Sequence, residues 1–247
     1  MSGASFREVV VEDRSALARA VAERIAELSQ GAQSDGDGPL TIALSGGSTP
    51  KALYETLATP PFLERVAWPR LELFFSDERA VPPDDAQSNY ALAARTLLSK
   101  IPSPAHRMVA ESGEAEAYEH LIRSHIARRR GDIPVFDLIL LGLGEDGHTA
   151  SLFPGTLALE ERERLVVTNE VPQKNTRRMT FTYPLINAAD RVWVLISGSE
   201  KRDMVAGCRA ARARGEQPYP ILRVVPTNGE LAWWLDQAAA GASPRGE

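Results

Sequence analysis

Four short apolar runs constrain the architecture of this chain more than any other feature. They are Leu40 to Leu44, Leu71 to Phe75, Phe136 to Leu141 and Val192 to Ile196, and each stops at a loop rich in glycine, serine or acid. Apolar runs of this length, bounded by turn residues, read as buried strands. Helical patterns separate most of them, so the strands belong to a parallel sheet that helices cover. The fold class is therefore α/β: an open, mostly parallel sheet with helices on both faces, in a single domain over residues 1–247.

The remaining elements follow from periodicity. Phe6 to Val11 reads as a first strand, and Leu17, Val21, Ile25 and Leu28 mark one face of a helix. Ser29 to Gly38 reads as a polar loop. A helix opens at Pro50 with Thr49 as its N-cap, and others are expected over Asn89 to Leu98, Glu114 to Arg130 and Glu200 to Arg214. Leu165 to Thr168 and Met179 to Thr182 read as short strands. A last helix is expected over Glu230 to Ala240, with residues 241–247 as a fraying tail.

Composition narrows the function classes. A net charge of −5 over 247 residues argues against nucleic acid or anionic membranes as partners, although a few local cations suffice for a small anion. The lone Cys208 excludes an internal disulfide and fits a reducing, cytoplasmic setting; its helical spacing from Met204 makes it a buried thiol. No apolar run of 18 residues and no signal peptide at Met1 is read.

Chemistry concentrates in three loops after strands, where open α/β sheets place their ligands. The first is Ser45-Gly46-Gly47-Ser48-Thr49-Pro50. Its glycines permit a concave nest of N–H donors at a helix N-terminus, suited to an anion such as phosphate. Taken alone it also reads, as the lesser alternative, as a plain strand-to-helix turn, and it lacks the spacing of a P-loop. The second loop is Ser76-Asp77-Glu78-Arg79, with Asn89 ten residues further on. Arg79 offers a fork for carboxylate or phosphate. Asp77 either meets a sugar hydroxyl or holds Arg79, and a solvated ion-pair cluster is the bland alternative.

The third loop, Gly142 to Pro154, carries Gly144, Asp146 and His148. Gly142, Gly144 and Gly147 spell G-x-G-x-x-G. Glu145 and Asp146 would oppose a pyrophosphate there, so a dinucleotide site is not expected. His148 suits proton transfer near neutral pH, and Asp146 is placed to orient it. A Ser-His-Asp triad using Ser151 or Ser45 is the weaker option, because no G-x-S-x-G elbow exists. Among the other basic residues are Lys174, Arg177, Arg178 and Lys201. Arg128-Arg129-Arg130 reads as the cationic end of a helix. His120 and His125 do not share a helical face, and His106 sits in a loop without a visible partner. No metal site is expected.

Together the segments resemble the 6-phosphogluconolactonase family. They are Leu44 to Pro50, Ser76 to Pro82 with Ser88-Asn89, Gly142 to Gly155, Ser197 to Lys201, and Leu231 to Asp236. The resemblance runs from about Leu40 to Asp236. The same superfamily holds glucosamine-6-phosphate deaminase/isomerase, but Arg79 after Asp-Glu and Thr149 to Pro154 after His148 look like the lactonase branch. The fold it implies is Rossmann-like, of the sugar-phosphate isomerase/deaminase type.

The resemblance implies hydrolysis of 6-phospho-D-glucono-1,5-lactone to 6-phosphogluconate, with His148 as the base for water and Asp146 positioning it. Ser45, Gly46, Gly47, Ser48, Thr49, Asp77, Arg79, Asn89, Gly144, Arg178 and Lys201 would bind the sugar phosphate. At the family's basic position, Arg177 and Arg178 both stand near, and register against Met179 favours Arg178. No cofactor or metal is expected, and the protein would act as a monomer or weak homodimer. Two other readings stay open: a deaminase/isomerase using Asp77 as carbon-acid base, and a non-catalytic sugar-phosphate sensor.

Overall fold

The computed structural model describes residues 5–31 and 38–241. Six strands form the central sheet: β1 (Ser5–Val11), β2 (Leu40–Leu44), β3 (Leu71–Phe75), β7 (Leu138–Gly142), β10 (Arg191–Ile196) and β11 (Glu230–Asp236). All pair in parallel, in the spatial order β1, β11, β10, β7, β2, β3. Every residue of β2 and β3 is buried, as parallel strands covered on both faces require. The covering helices include α1 (Arg14–Gly31), α2 (Ser48–Leu57), α4 (Asn89–Thr96), α5 (Ala115–His125) and α7 (Arg202–Ala213). The shorter α3 (Phe62–Arg65), α6 (Tyr183–Ala188) and α8 (Gln237–Ala240) complete the set. The buried apolar side chains form one connected cluster. No helix among the described residues is long and apolar enough to cross a membrane.

A second sheet stands on the first. β4 (Asp77–Arg79), β9 (Thr176–Phe181) and β8 (Val166–Val171) are antiparallel, with Arg79 opposite Arg178. One residue, Ser76, separates β3 from β4. Its N–H donates to Leu44 O at 2.8 Å, and its carbonyl accepts from Phe181 N at 2.8 Å. Its hydroxyl also donates to Leu44 O at 3.0 Å. Ser76 therefore bonds both sheets, and the chain passes between them without a flexible linker.

Several expected elements differ. Residues 230–236 are a strand, not a helix. The run Glu-Leu-Ala-Trp-Trp-Leu-Asp contains good helix formers, but the slot between β1 and β10 needs backbone donors and acceptors on both sides. From Leu231 to Asp236 every residue is buried, which no single helix face can achieve. Only Gln237–Ala240 turns helical, ending at Gly241 with φ 71°. Asp236 caps this turn through Ala239 N at 2.7 Å, and also accepts from Gly198 N at 3.0 Å. Asp236→Ala is expected to cost about 1–3 kcal/mol, since a cap and a buried tether are lost together. Urea unfolding checks this: the midpoint falls at unchanged slope, and an unmoved midpoint contradicts it.

The helix expected to reach Arg130 ends at His125. Arg129–Arg130 instead forms β5, paired with β6 (Ile133–Pro134). The arginines therefore do not sit on a helix dipole. Arg128 pairs with Asp137 at 2.7 Å and with Asp190, and Arg130 pairs with Asp190 at 3.2 Å. The helix expected from Glu200 begins as a tight turn at Ser199–Lys201 and becomes α-helical at Arg202. The helix expected to reach Leu98 stops at Thr96 before a tight turn at Leu98–Lys100. Ser29 belongs to α1 rather than to a loop: its hydroxyl donates to Ala26 O at 2.7 Å. The rest of that expected loop, 32–37, and the tail 242–247 lie outside the described residues.

Candidate active site

From β2 the chain proceeds to β3 on one side, and from β7 the next sheet strand, β10, lies on the other. Such a reversal opens a crevice at the strands' C-terminal ends, and the three loops meet there. The first loop enters α2 at Ser48, so Gly47, not Thr49, is the N-cap. Gly47 has φ 106°, where L-residues strain, and no side chain caps the helix. The first-turn N–H groups of α2 thus lack a side-chain acceptor, with the positive end of the helix dipole behind them. Ser45 contributes no free N–H. The buried Tyr54 hydroxyl accepts its N–H at 3.0 Å and donates to its carbonyl at 2.6 Å. Thr49 Oγ1 meets Ser197 Oγ at 3.2 Å, joining this loop to the one after β10.

Asp77, the first residue of β4, is buried. Its Oδ2 accepts from Ser151 Oγ at 2.7 Å and its Oδ1 from Asn89 Nδ2 at 3.1 Å. Ser151 therefore bonds Asp77 rather than His148, which argues against a triad through Ser151. Asn89 also donates to Asp77 O at 2.8 Å, while its own Oδ1 is buried without a protein partner. A Cβ on Gly46 would lie 1.7 Å from that oxygen, so only glycine lets the first loop approach Asn89. Asn89 is held in place by Glu78. This buried carboxylate accepts from Arg79, Asn89 and Tyr90 N–H groups at 2.7–2.8 Å and from Ser88 Oγ at 2.9 Å. Burial outweighs these bonds and raises the Glu78 carboxyl above its ordinary range.

The third loop is a tight ring. Gly144 N donates to His148 O at 2.8 Å and Gly147 N to Gly144 O at 3.1 Å. Inside it, His148 Nδ1 lies 2.5 Å from Asp146 Oδ1, and the imidazole stacks on Phe153 with centroids 3.9 Å apart. Burial is the main influence on His148 and lowers it below an ordinary imidazole, against the pull of Asp146 and Asp77. Burial alone would raise Asp146, but the His148 hydrogen bond and attraction outweigh it and hold the carboxyl low. The resting pair is thus a neutral imidazole donating Nδ1–H to an ionised carboxylate, with a lone pair left on Nε2. A Cβ on Gly144 would sit 2.0 Å from His148 Nδ1 and 2.7 Å from Asp146 Oδ1. Gly144→Ala is expected to cut kcat at least ~10-fold by displacing the pair, with folding retained. Steady-state rates beside a far-ultraviolet spectrum test it, and an unchanged kcat refutes the close fit.

Arg79 and Arg178 lie side by side across the β4–β9 ladder. Neither belongs to an ion pair among the described residues, and the Nε of each is buried without a protein partner. Arg79 donates to Gln87 O, and Arg178 lies 5.9 Å above the Phe153 ring that His148 stacks on. Burial, then repulsion from Arg79, lowers Arg178. Two adjacent guanidiniums without an ion-pair partner, with Asp77 and Glu78 only partly offsetting their charge at Arg178, have the chemistry that suits an anion. Arg177 points the opposite way along β9, donating to Glu111 O at 3.4 Å. Lys174 is exposed beyond the strand. Lys201 follows Gly198 on the loop after β10, and no hydrogen bond or ion pair joins it to the other site residues.

The structure thus gathers His148, Asp146, Gly144, Asp77, Asn89, Arg79, Arg178 and the first loop at one crevice. Sequence reasoning missed Phe153 as the imidazole's support, Tyr54 as the clamp on Ser45, and Glu78 as the anchor of Asn89. Phe153 lay within the conspicuous third loop; for Tyr54 no local signal exists. A groove of about 800 Å³ opens at the other end of the sheet, lined in part by Arg24, Arg128, Asp137 and Asp190. None of the site residues lines it, and Arg128 there is neutralised by both aspartates. His106 is not alone in its loop: its Nε2 lies 2.7 Å from Glu72 Oε1, where His125 Nδ1 also arrives at 2.6 Å.

Residues 12–233 match the family model of glucosamine-6-phosphate isomerases/6-phosphogluconolactonase. The chain belongs to this family. It is 41% identical over 212 residues to a 6-phosphogluconolactonase of Nostoc sp., covering 83% of this chain and 85% of that one. A 6-phosphogluconolactonase of Haemophilus influenzae is 39% identical over 203 residues, covering 81% and 86%. Among solved structures, the 6-phosphogluconolactonase from Trypanosoma brucei superposes with a TM-score of 0.81 at 32% identity, covering 96% of this chain and 99% of that one. A monomeric glucosamine-6-phosphate deaminase shares the fold, with a TM-score of 0.74 at 20% identity, covering 96% and 100%. Family membership agrees with the central parallel sheet and the crevice at its C-terminal edge.

Proposed function

We propose that this crevice hydrolyses 6-phospho-D-glucono-1,5-lactone to 6-phospho-D-gluconate, the lactone-opening step of the oxidative pentose phosphate pathway. The observation that carries the reading is an imidazole held through Nδ1 by Asp146, with no protein partner on Nε2 among the described residues, next to two guanidiniums that have no ion-pair partner there. A base suits an electrophilic carbonyl, and the paired cations suit a phosphate dianion.

In the proposed route, His148 Nε2 removes a proton from water as the water oxygen bonds to C1. Asp146 accepts the Nδ1–H bond throughout and stabilises the imidazolium. The C1–ring oxygen bond then breaks, and the ring oxygen takes the proton from Nε2. The carboxylic acid product ionises and releases one proton. Arg79 and Arg178 hold the phosphate, with Lys201 and the Ser45 to Thr49 turn beside it, while Asp77 and Asn89 meet sugar hydroxyls. No step calls for a metal or a cofactor. The protein works as one domain in the cytoplasm on this small substrate.

The test is loss of freshly made lactone against its spontaneous opening, with chelator present. Acceleration by the wild-type protein supports the reading. Folded protein that gives none, but releases ammonia from glucosamine 6-phosphate, replaces it with the deaminase reading. Binding of 6-phosphogluconate without any turnover replaces it with the sensor reading.

A further inference from the structure

We propose that Glu72, His106 and His125 form a binding site for a divalent transition cation of the zinc class, at the end of the sheet opposite His148. The residues come from three places. Glu72 is the second residue of β3, His106 follows the bridge that Ala105 makes with Leu73, and His125 is the last residue of α5. One ligand atom from each lies within 4.8 Å of the others. Both imidazoles converge on the same oxygen, Glu72 Oε1, at 2.7 and 2.6 Å, and their ring centroids are 4.3 Å apart.

Two imidazole nitrogens and a carboxylate oxygen are a donor set that zinc, cobalt(II) and nickel(II) favour. Tetrahedral coordination at about 2.0–2.1 Å places neighbouring ligand atoms about 3.3 Å apart. Each of the two nitrogen–oxygen separations therefore opens by roughly 0.6 Å to admit the ion. Each imidazole then carries its proton on its other nitrogen and turns the freed lone pair to the metal. His125 is 40% exposed, so the fourth position opens to water.

The surroundings hold the ligands in place. His106 N donates to Leu73 O at 2.8 Å, and its carbonyl accepts from the Tyr118 hydroxyl at 2.9 Å. Tyr118 lies on α5, the helix that ends in His125, and its hydroxyl also accepts from Phe75 N at 2.9 Å. Phe74 packs against both rings, with centroids 4.8 Å from His106 and 6.4 Å from His125. Two ligands thus ride on backbone fixed by the same tyrosine. Periodicity along α5 cannot reveal this site, because the second histidine is supplied from another element, not from His120.

Titration of metal-free protein with Zn²⁺ at pH 7.5, by calorimetry, is the test. Co²⁺ absorption serves as a report of coordination. One equivalent binds, tetrahedral Co²⁺ bands appear and Zn²⁺ raises Tm. Affinity falls at least ~10-fold in His125→Gln, which removes an exposed ligand and leaves the core intact. It falls likewise in Glu72→Gln. His120→Gln, on the exposed side of α5, leaves binding unchanged. Absence of stoichiometric binding by the wild type overturns the proposal. So does binding that survives His125→Gln and is lost in His148→Gln. Neither result bears on lactone turnover, which the assay does not read.

Discussion

His148→Ala is expected to lower kcat by about 10²–10⁴-fold, the range a positioned general base supplies. The fold should persist, because the imidazole lies at the crevice, stacked on Phe153 and about a quarter exposed. The pH dependence carries the more specific signature. Only the neutral imidazole accepts a proton, so the rate falls as pH drops through the His148 pKa. Burial lowers that pKa below the ordinary 6.5, so the acid limb of kcat/KM lies below pH 6.5. In the alanine variant the residual rate should lack this limb. A limb that persists there would transfer the role to another group, with the buried Asp77 first in line.

Arg178→Ala is expected to raise KM by about 10–100-fold, from the loss of roughly 1.5–3 kcal/mol in charge-assisted bonds to phosphate. Arg79→Ala should act in the same direction. The two effects should not add, because each guanidinium lowers the cost of bringing the phosphate to the other. Arg130→Ala is the control: that side chain is paired with Asp190 far from the crevice, and its KM should stay within about twofold of wild type. Equal effects at Arg178 and Arg130 would remove the phosphate assignment. A lactone without the phosphate should be insensitive to Arg178→Ala, which separates phosphate grip from general damage.

The central strands and the three loops were legible because their signals are local. Leu40–Leu44 and Leu71–Phe75 are apolar runs ended by turn chemistry, and the observed strands keep those bounds. The Gly144, Asp146 and His148 grouping was legible for the same reason: one turn supplies all three. Residues 230–236 were not, because their state is decided by β1 and β10, over 200 and about 40 positions away in sequence. The helix expected over Glu114 to Arg130 failed at its end for a similar cause. Arg128 and Arg130 are drawn to Asp137 and Asp190, which no local pattern announces. The partnership of Asp77 with Ser151 spans 74 positions and appears only once the second sheet is built.

The phenyl ring of Phe153 has the imidazole stacked on it and a guanidinium above it. Those two groups feel each other electrostatically, and Arg178 pushes His148 toward the neutral form. In the proposed function an arriving phosphate dianion would offset the guanidinium's field, so substrate binding would strengthen the base. Thermodynamic reciprocity then requires the phosphate to bind more tightly as His148 takes up a proton. On that reading the state with protonated His148 would hold the phosphate harder than the states before and after it. A visible trace would be an acid limb in kcat displaced upward from that in kcat/KM, with the gap closing in Arg178→Ala.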